Sequence, residues 1–183
     1  SQNNTRVTFN GRNKIISNAG MTDTFFLVTT GNNIKDAVVT ANKPIALCQL
    51  GLSQRCDGAT SDTDPMLMWL SPLEQTLKNL NFSCENADKI DKFFINVVVK
   101  TAYRNQLKID GAAPTATWQL LTKDTSYSYI QQSGLALGNH NMSHPLGFFA
   151  VLYAYGDYGS YGYSVGSSIK PLSFYSFVNG KSS

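Results

Sequence analysis

The sequence predicts an all-β protein, a single antiparallel β-sandwich of Greek-key or jelly-roll type, on three observations. Short apolar stretches rich in Val, Ile, Phe, Tyr and Thr recur along the chain, each closed by Gly, Asn, Asp or Pro. Asn10-Gly11 and Asp110-Gly111 are hairpin-type dipeptides beside such stretches. No window sustains an amphipathic helix: the best, residues 72–80, offers Leu73, Leu77 and Leu80 at helical spacing for two turns only, which predicts one short helical turn at most.

In order, the first strand is expected at residues 6–9 and leads through Asn10-Gly11 into 14–16; strands at 24–29, 37–39 and 45–50 come next. Later strands are expected at 66–70, 77–82, 93–101, 106–109, 118–121, 127–132, 148–155 and 173–177. Residues 93–99 are almost continuously apolar, as in a strand covered on both faces, and Asp110-Gly111 closes the segment after it. This pair is expected at the centre of the core, with Phe94, Val97 and Val99 buried.

The length, 183 residues, suits one domain, and no Pro- or Ser-rich linker divides the chain, so residues 1–183 read as a single sandwich. Its start, Ser1-Gln2-Asn3-Asn4, lacks the basic and apolar blocks of a signal peptide and reads as a mature or excised segment of a larger protein. Charged residues make up 15%, below the roughly 25% of an ordinary soluble protein. Ser, Thr, Asn, Gly and Tyr take their place, a neutral polar surface met in secreted and cell-surface β-proteins. Net charge is 15 − 12 = +3, with Arg6, Arg12, Lys14, Lys43, Arg55, Lys89, Lys100 and Arg104 scattered. That distribution offers no strip for nucleic acid. No run of eighteen apolar residues exists, so direct membrane insertion through a helix is not expected.

The chemistry-bearing motifs are few. No nucleophile elbow, phosphate-cradling loop or zincin helix is present. His140 and His144 have a spacing that suits zinc on a helix, but their setting, Gly138-Asn139-His140-Asn141-Met142-Ser143-His144-Pro145, reads as a loop with solvated histidines. Gly156, Gly159 and Gly162 lack the dinucleotide spacing and continue a strand. Around them Tyr153, Tyr155, Tyr158, Tyr161 and Tyr163 alternate with small residues, and such rings either pack a sheet or form a recognition surface. Asp57, Asp62 and Asp64 crowd one loop whose hard oxygens suit Ca²⁺, although acidic residues in turns more often cap the backbone. Calcium is therefore the one cofactor worth testing. Asn3-Asn4-Thr5, Asn81-Phe82-Ser83 and Asn141-Met142-Ser143 fit the glycosylation pattern, a short match that carries little weight. Of three cysteines, Cys48 falls mid-strand as a small core residue, while Cys56 and Cys84 lie at loop margins and are the pair expected to form a disulfide.

Particular strings are more telling than the pattern. Lys43-Pro44-Ile45-Ala46-Leu47, Ser53-Gln54-Arg55-Cys56-Asp57-Gly58, Asp64-Pro65-Met66 and Leu70-Ser71-Pro72-Leu73-Glu74-Gln75-Thr76 occur in that order. Further on come Phe94-Ile95-Asn96-Val97, Ile109-Asp110-Gly111, Gly147-Phe148-Phe149, Tyr155-Gly156-Asp157-Tyr158 and Ser160-Tyr161-Gly162-Tyr163. This series, roughly residues 5–166, resembles the IgGFc-binding-protein-type domain, in particular copies in large surface adhesins and gliding-associated proteins of bacteria that export through the type IX system. The resemblance implies an extracellular or cell-surface module that binds or adheres without catalysis. Its animal members are named for antibody binding, but none of their ligand contacts is matched to a position here. The Asp-rich loop coincides with a family element; Cys48 and Cys84 do not, so no disulfide is implied by the resemblance.

The leading expectation is an adhesion module that recognises a glycan or protein on another cell or surface, flanked by neighbouring domains of its own polypeptide. Loops or the Tyr-bearing segment, Tyr155, Asp157, Tyr158, Tyr161 and Tyr163, would supply the contacts. Two alternatives stand beside it. One is a structural spacer in a long surface filament. The other is a hydrolase with a carboxylate pair drawn from Asp57, Asp62, Asp64 and Asp157, since paired acids need only be neighbours in space.

Overall fold

The computed structural model describes residues 2–25, 28–29, 32–33, 36–51, 64–87, 89–156 and 159–168. In chain order the elements are β1 (Thr5–Phe9), β2 (Arg12–Ile16), β3 (Val28–Thr29), β4 (Asn32–Asn33), β5 (Val39–Ala41), β6 (Leu47–Gly51) and β7 (Met66–Leu70). The 3₁₀ turn η1 (Leu73–Gln75) precedes β8 (Leu77–Cys84) and β9 (Ile90–Lys100). A second 3₁₀ segment, η2 (Thr101–Gln106), leads to β10 (Lys108–Ile109), β11 (Gln119–Leu120), β12 (Tyr127–Ser133), β13 (Gly138–Gly156) and β14 (Gly159–Ser164).

Strand β9 is the spine. Its alternation sends Phe93, Ile95, Val97 and Val99 to one face, where all are buried, and leaves Phe94, Asn96 and Val98 half-buried on the other. It pairs antiparallel with β12 on one side and with the second half of β13 on the other, and β11 and β14 extend these to a five-stranded sheet ordered β14-β13-β9-β12-β11. The first half of β13 belongs to a different sheet, lying between β8 and β10. The change of sheet falls between Ser143 and Phe148, where the register with β8 shifts. Pro145 interrupts the ladder there, and Gly147 holds φ +90°, a conformation that suits glycine. One continuous strand thus contributes to both layers of the sandwich. Ile95, Val97, Leu152 and Ala154 of the large sheet form one buried cluster with Phe82, Cys84, Ile109 and Met142 of the small one, joined by Leu107 and Ile130.

Among the described residues the other face of the large sheet is covered on one side only. The β6–β7 hairpin lays Met66 and Met68 over Val151 and Tyr153. Gly162 of β14 makes room for it, because a Cβ there would come 2.5 Å from the Met68 sulfur. Ser71 and Ser164 exchange a hydroxyl hydrogen bond at 3.2 Å at the hairpin's end. A small sheet, β2-β1-β5, forms the amino-terminal part. Its β1–β2 turn uses Asn10 and Gly11 at φ +47° and +86°, the conformation the dipeptide foretold. The Asn10 side chain accepts from the Val38 N–H and donates to the Asp36 carbonyl, while the Asp36 carboxylate accepts from the Thr122 backbone and hydroxyl.

The all-β sandwich expected from sequence is the fold observed. Several details differ. Of residues 24–29, only Val28–Thr29 among the described residues forms a strand; the strand expected at 37–39 is displaced to Val39–Ala41, and the one at 106–109 begins inside η2. The strand at 148–155 is the second half of a 19-residue element. The helical turn in 72–80 is realised as η1 alone, after which Leu77 begins a strand. Residues 173–177 lie outside the described residues. Val97 and Val99 are core residues as expected, but Phe94 points to the opposite face, half-buried and stacked on Tyr153 at 5.3 Å.

Ile95→Ala, which empties a fully buried site, is expected to lower the unfolding free energy by about 2–5 kcal/mol in denaturant titration. Phe94→Ala is expected to cost less, because that ring is only half-buried. Gly147→Ala sets a Cβ 2.5 Å from the Thr76 hydroxyl oxygen at an unfavourable φ. It should destabilise by about 1–3 kcal/mol, read as a lowered melting temperature.

Candidate functional site

Among the described residues the β6–β7 hairpin covers only the β13–β14 side, which leaves the outer face of the large sheet open toward β11 and β12. Register fixes what is displayed there. One row across the strands reads Gln119, Tyr129, Val98, Phe149; the next reads Gln131, Asn96, Val151; the third reads Ser133, Phe94, Tyr153. Gln119, Gln131 and Ser133 are exposed, and Tyr129, Asn96, Val98, Phe149 and Phe94 are half-buried. The Tyr129 hydroxyl donates to Gln119 Oε1 at 2.8 Å. Gln131 Nε2 donates to the Tyr153 hydroxyl, which donates in turn to Asn96 Oδ1 at 3.3 Å. Burial raises the Tyr153 hydroxyl to about 12 and also pushes Tyr129 upward, with Asp36 adding to the latter, so both remain protonated donors at neutral pH. The result is a flat platform of tyrosyl and phenyl rings edged by side-chain amides. Sequence reasoning did not single out Asn96, Gln119, Tyr129 or Gln131; the signal was the alternation of Tyr127, Tyr129 and Gln131 with Ser128 and Ile130.

The tyrosines expected to bind do not form one surface. Tyr155 belongs to the outer face, edge-on to Phe94 and Tyr153 at 6.1 and 5.6 Å. Tyr161 and Tyr163 pair with Ala154 and Leu152, and so lie on the opposite, core-facing side of the sheet. Their rings stack at 6.4 Å. The Tyr161 hydroxyl accepts from the Glu85 N–H at 2.9 Å and donates to its carbonyl at 3.2 Å, and the Tyr163 hydroxyl donates to the Ser83 carbonyl at 3.1 Å. Both hydroxyls therefore pin β14 to the end of β8. Asp157 and Tyr158 lie outside the described residues.

Of the acidic loop, Asp57 and Asp62 also lie outside the described residues. Asp64 is exposed at the foot of β7, and its carbonyl accepts from the Ser160 hydroxyl at 2.5 Å. Among the described residues no three His, Cys, Asp or Glu side chains gather as a metal site. Cys84 is a free thiol, fully buried at the end of β8. Burial, with Asp110 and Glu85 nearby, raises it to about 11, which leaves it a protonated, inert core group. Cys56, its expected disulfide partner, lies outside the described residues. Cys48 does sit mid-strand in β6, but on the exposed face opposite Trp69 instead of in the core.

The histidines correct the loop reading. Both sit on the first half of β13 and are buried. His144 donates from Nε2 to the Tyr103 carbonyl at 3.0 Å and accepts the Leu146 N–H at Nδ1. His140 stacks on Phe82 and faces two acceptors: the Asp110 carboxylate 2.7 Å from Nδ1 and the Ala136 carbonyl 2.8 Å from Nε2. Both bonds form fully only when the ring carries two protons. Burial pulls the His140 pKa down, but the Ala136 carbonyl and Asp110 outweigh it and leave it raised above 6.5. Asp110 is lowered below 3.8 by the His140 hydrogen bond, against a smaller desolvation cost. The signs fix a window. The His140 contribution to stability is whole below pH 6.5 and fades as pH rises through its raised folded value; that of Asp110 is whole above pH 3.8 and fades as pH falls through its lowered one. Melting temperature should therefore decline as pH climbs above 6.5, and His140→Gln should flatten that decline.

Residues 1–154 match the sequence profile of the IgGFc binding protein family. No curated protein and no solved structure matches the chain. The matched region runs from the amino terminus through β13 as far as Ala154 and stops short of the Tyr155–Tyr163 element. It takes in 154 of 183 residues, including the three outer-face rows from Gln119 to Tyr153 but not Tyr155. The chain belongs to the IgGFc binding protein family.

Proposed function

We propose that the chain is a non-catalytic adhesion module of a surface protein. It recognises an extracellular protein or glycan through the open outer face of the large sheet. The family is one of extracellular binding modules, and no helix among the described residues is long and apolar enough to cross a membrane. The observation that carries the reading is the two adjacent rows that hold Gln119 with Tyr129 and Gln131 with Asn96, in register on neighbouring strands and left uncovered by the β6–β7 hairpin. Strand-borne rings lose little conformational freedom on contact, and amides offer both donors and acceptors to a neutral polar partner.

One observation favours the spacer reading for a different part of the molecule. The hydroxyls of Tyr161 and Tyr163 are engaged by the backbone of Glu85 and Ser83, at the end of β8, so that segment works as internal bracing.

The test is a screen of the folded chain on glycan and surface-protein arrays that include immunoglobulin Fc, run with and without Ca²⁺. Saturable binding is expected, weakened by tenfold or more in Tyr129→Ala and Gln131→Ala, equivalent to about 1.4 kcal/mol or more. Both variants should keep the wild-type melting profile. Absence of binding across the arrays, or binding indifferent to both substitutions, would replace this face with the spacer reading.

A further inference from the structure

A pocket of about 570 Å³ sits at the end of β9 and β12, lined by Lys100, Thr101, Ala102, Tyr103, Ser126 and Tyr127. It continues the open sheet face. Lys100 stands opposite Tyr127 in the β9–β12 register, one row beyond Val98 and Tyr129. Alternation puts both on the outer side, away from the buried Val99 and Ser128. The walls are braced before any ligand arrives. The Thr101 N–H donates to the Ser126 carbonyl at 2.8 Å, and the Thr101 hydroxyl donates to the Thr125 carbonyl at 2.8 Å and meets the Ser128 hydroxyl at 2.9 Å. Buried His144 donates to the Tyr103 carbonyl at 3.0 Å, which fixes the η2 backbone that carries the Tyr103 ring.

The charge of the pocket is positive. Lys100 is exposed and forms no ion pair among the described residues. Arg104 and Lys123 belong to the same two wall segments, and the one carboxylate there, Asp124, is occupied by the Ser126 N–H at 3.1 Å and hydroxyl at 2.5 Å. Backbone is not on offer: β9 lies between β13 and β12, and β12 between β9 and β11, so a peptide has no strand edge to join at this point. What remains for a ligand is two tyrosine rings of mixed apolar and polar character beside one ammonium group.

We propose that this pocket is a subsite for a carboxylated sugar, its carboxylate on the Lys100 ammonium and its ring against Tyr103 and Tyr127. The inference rests on the binding role proposed above for the outer face, and it names the class of glycan that face takes. A sugar ring presents C–H groups to an aromatic face and hydroxyls to the amides of the neighbouring rows, while a uronate or sialate carboxylate supplies the charge that Lys100 lacks.

The test is calorimetric titration of the full chain with hexamers of galacturonate and of mannuronate and with sialyllactose, each beside its methyl ester. At least one acid is expected to bind saturably, about fivefold more tightly than its ester, the upper end for an exposed ion pair. Lys100→Met should erase that preference and leave the affinity for the ester as it is. Tyr103→Ala keeps the backbone carbonyl that His144 uses and should weaken acid and ester alike by about threefold. Both variants should melt as the wild type does. Acids and esters bound equally, or a preference that survives Lys100→Met, would overturn the proposal. So would a hexaglutamate peptide bound as tightly as the sugars, which would give the pocket to an acidic peptide. Tyr129→Ala and Gln131→Ala separate this subsite from the platform beside it. Binding lost in those two, with a preference untouched by Lys100→Met, removes the subsite and leaves the platform. A preference erased by Lys100→Met in a chain indifferent to those two keeps the subsite and removes the platform, and no binding of any acid or ester removes the subsite.

Discussion

Gly147 holds the backbone at φ +90° beside Pro145, and the arrangement of both layers depends on that bend. Before it, β13 pairs with β8 and β10; after it, apart from Phe148 opposite Leu77 of β8, with β9 and β14. A straight strand of 19 residues would run about 60 Å and could not fold its own ladder over itself. Because it bends, residues from both halves, Met142 on one side and Leu152 on the other, reach the same buried cluster. The approach of Gly147 to Thr76 and Leu77 shows how closely the start of β8 is packed against the corner.

With the sheets placed, polar groups at their margins must find partners, and side chains from neighbouring strands and turns meet that demand. Tyr161 and Tyr163 close the end of β8, and Asp36 fastens the amino-terminal sheet to Thr122. Asp110, in the tight turn after β10, accepts from the Asn141 N–H at 2.8 Å as well as from His140. Every buried side-chain nitrogen and oxygen among the described residues has a partner. Such satisfied networks fix register, because a shift of one residue would expose the core face and orphan these groups together.

The same geometry separates two faces of β13 and β14. The core side carries rings whose hydroxyls are engaged with backbone. The outer side, where Met66 and Met68 stop short, carries rings and amides that bond to one another and still face solvent. The proposed binding through this strand platform asks little of loops, since its side chains are already braced by one another.

The sequence alone determined the class of fold, because period-two alternation and hairpin dipeptides are local: Asn10-Gly11 and Asp110-Gly111 turn wherever they occur, and Met66–Leu70 is a strand on its own pattern. Family membership was legible in short ordered strings for the same reason. Three things were decided only by tertiary structure. Residues 138–145 read as a loop of Gly, Asn, His and Pro, yet they form part of a strand, because β8 and β10 supply partners on both edges and Phe82 and Asp110 receive His140. Phe94 read as core, but a strand's two faces are equivalent until neighbours cover one of them, and here the small sheet lies on the side of Ile95 and Val97. The tyrosines of residues 153–163 read as one stripe, yet pairing across the β13–β14 hairpin sends Tyr153 and Tyr155 to one face and Tyr161 and Tyr163 to the other. Spacing along a chain sets which residues share a face of one strand; which face becomes surface depends on the strands and sheets that arrive from elsewhere in the sequence.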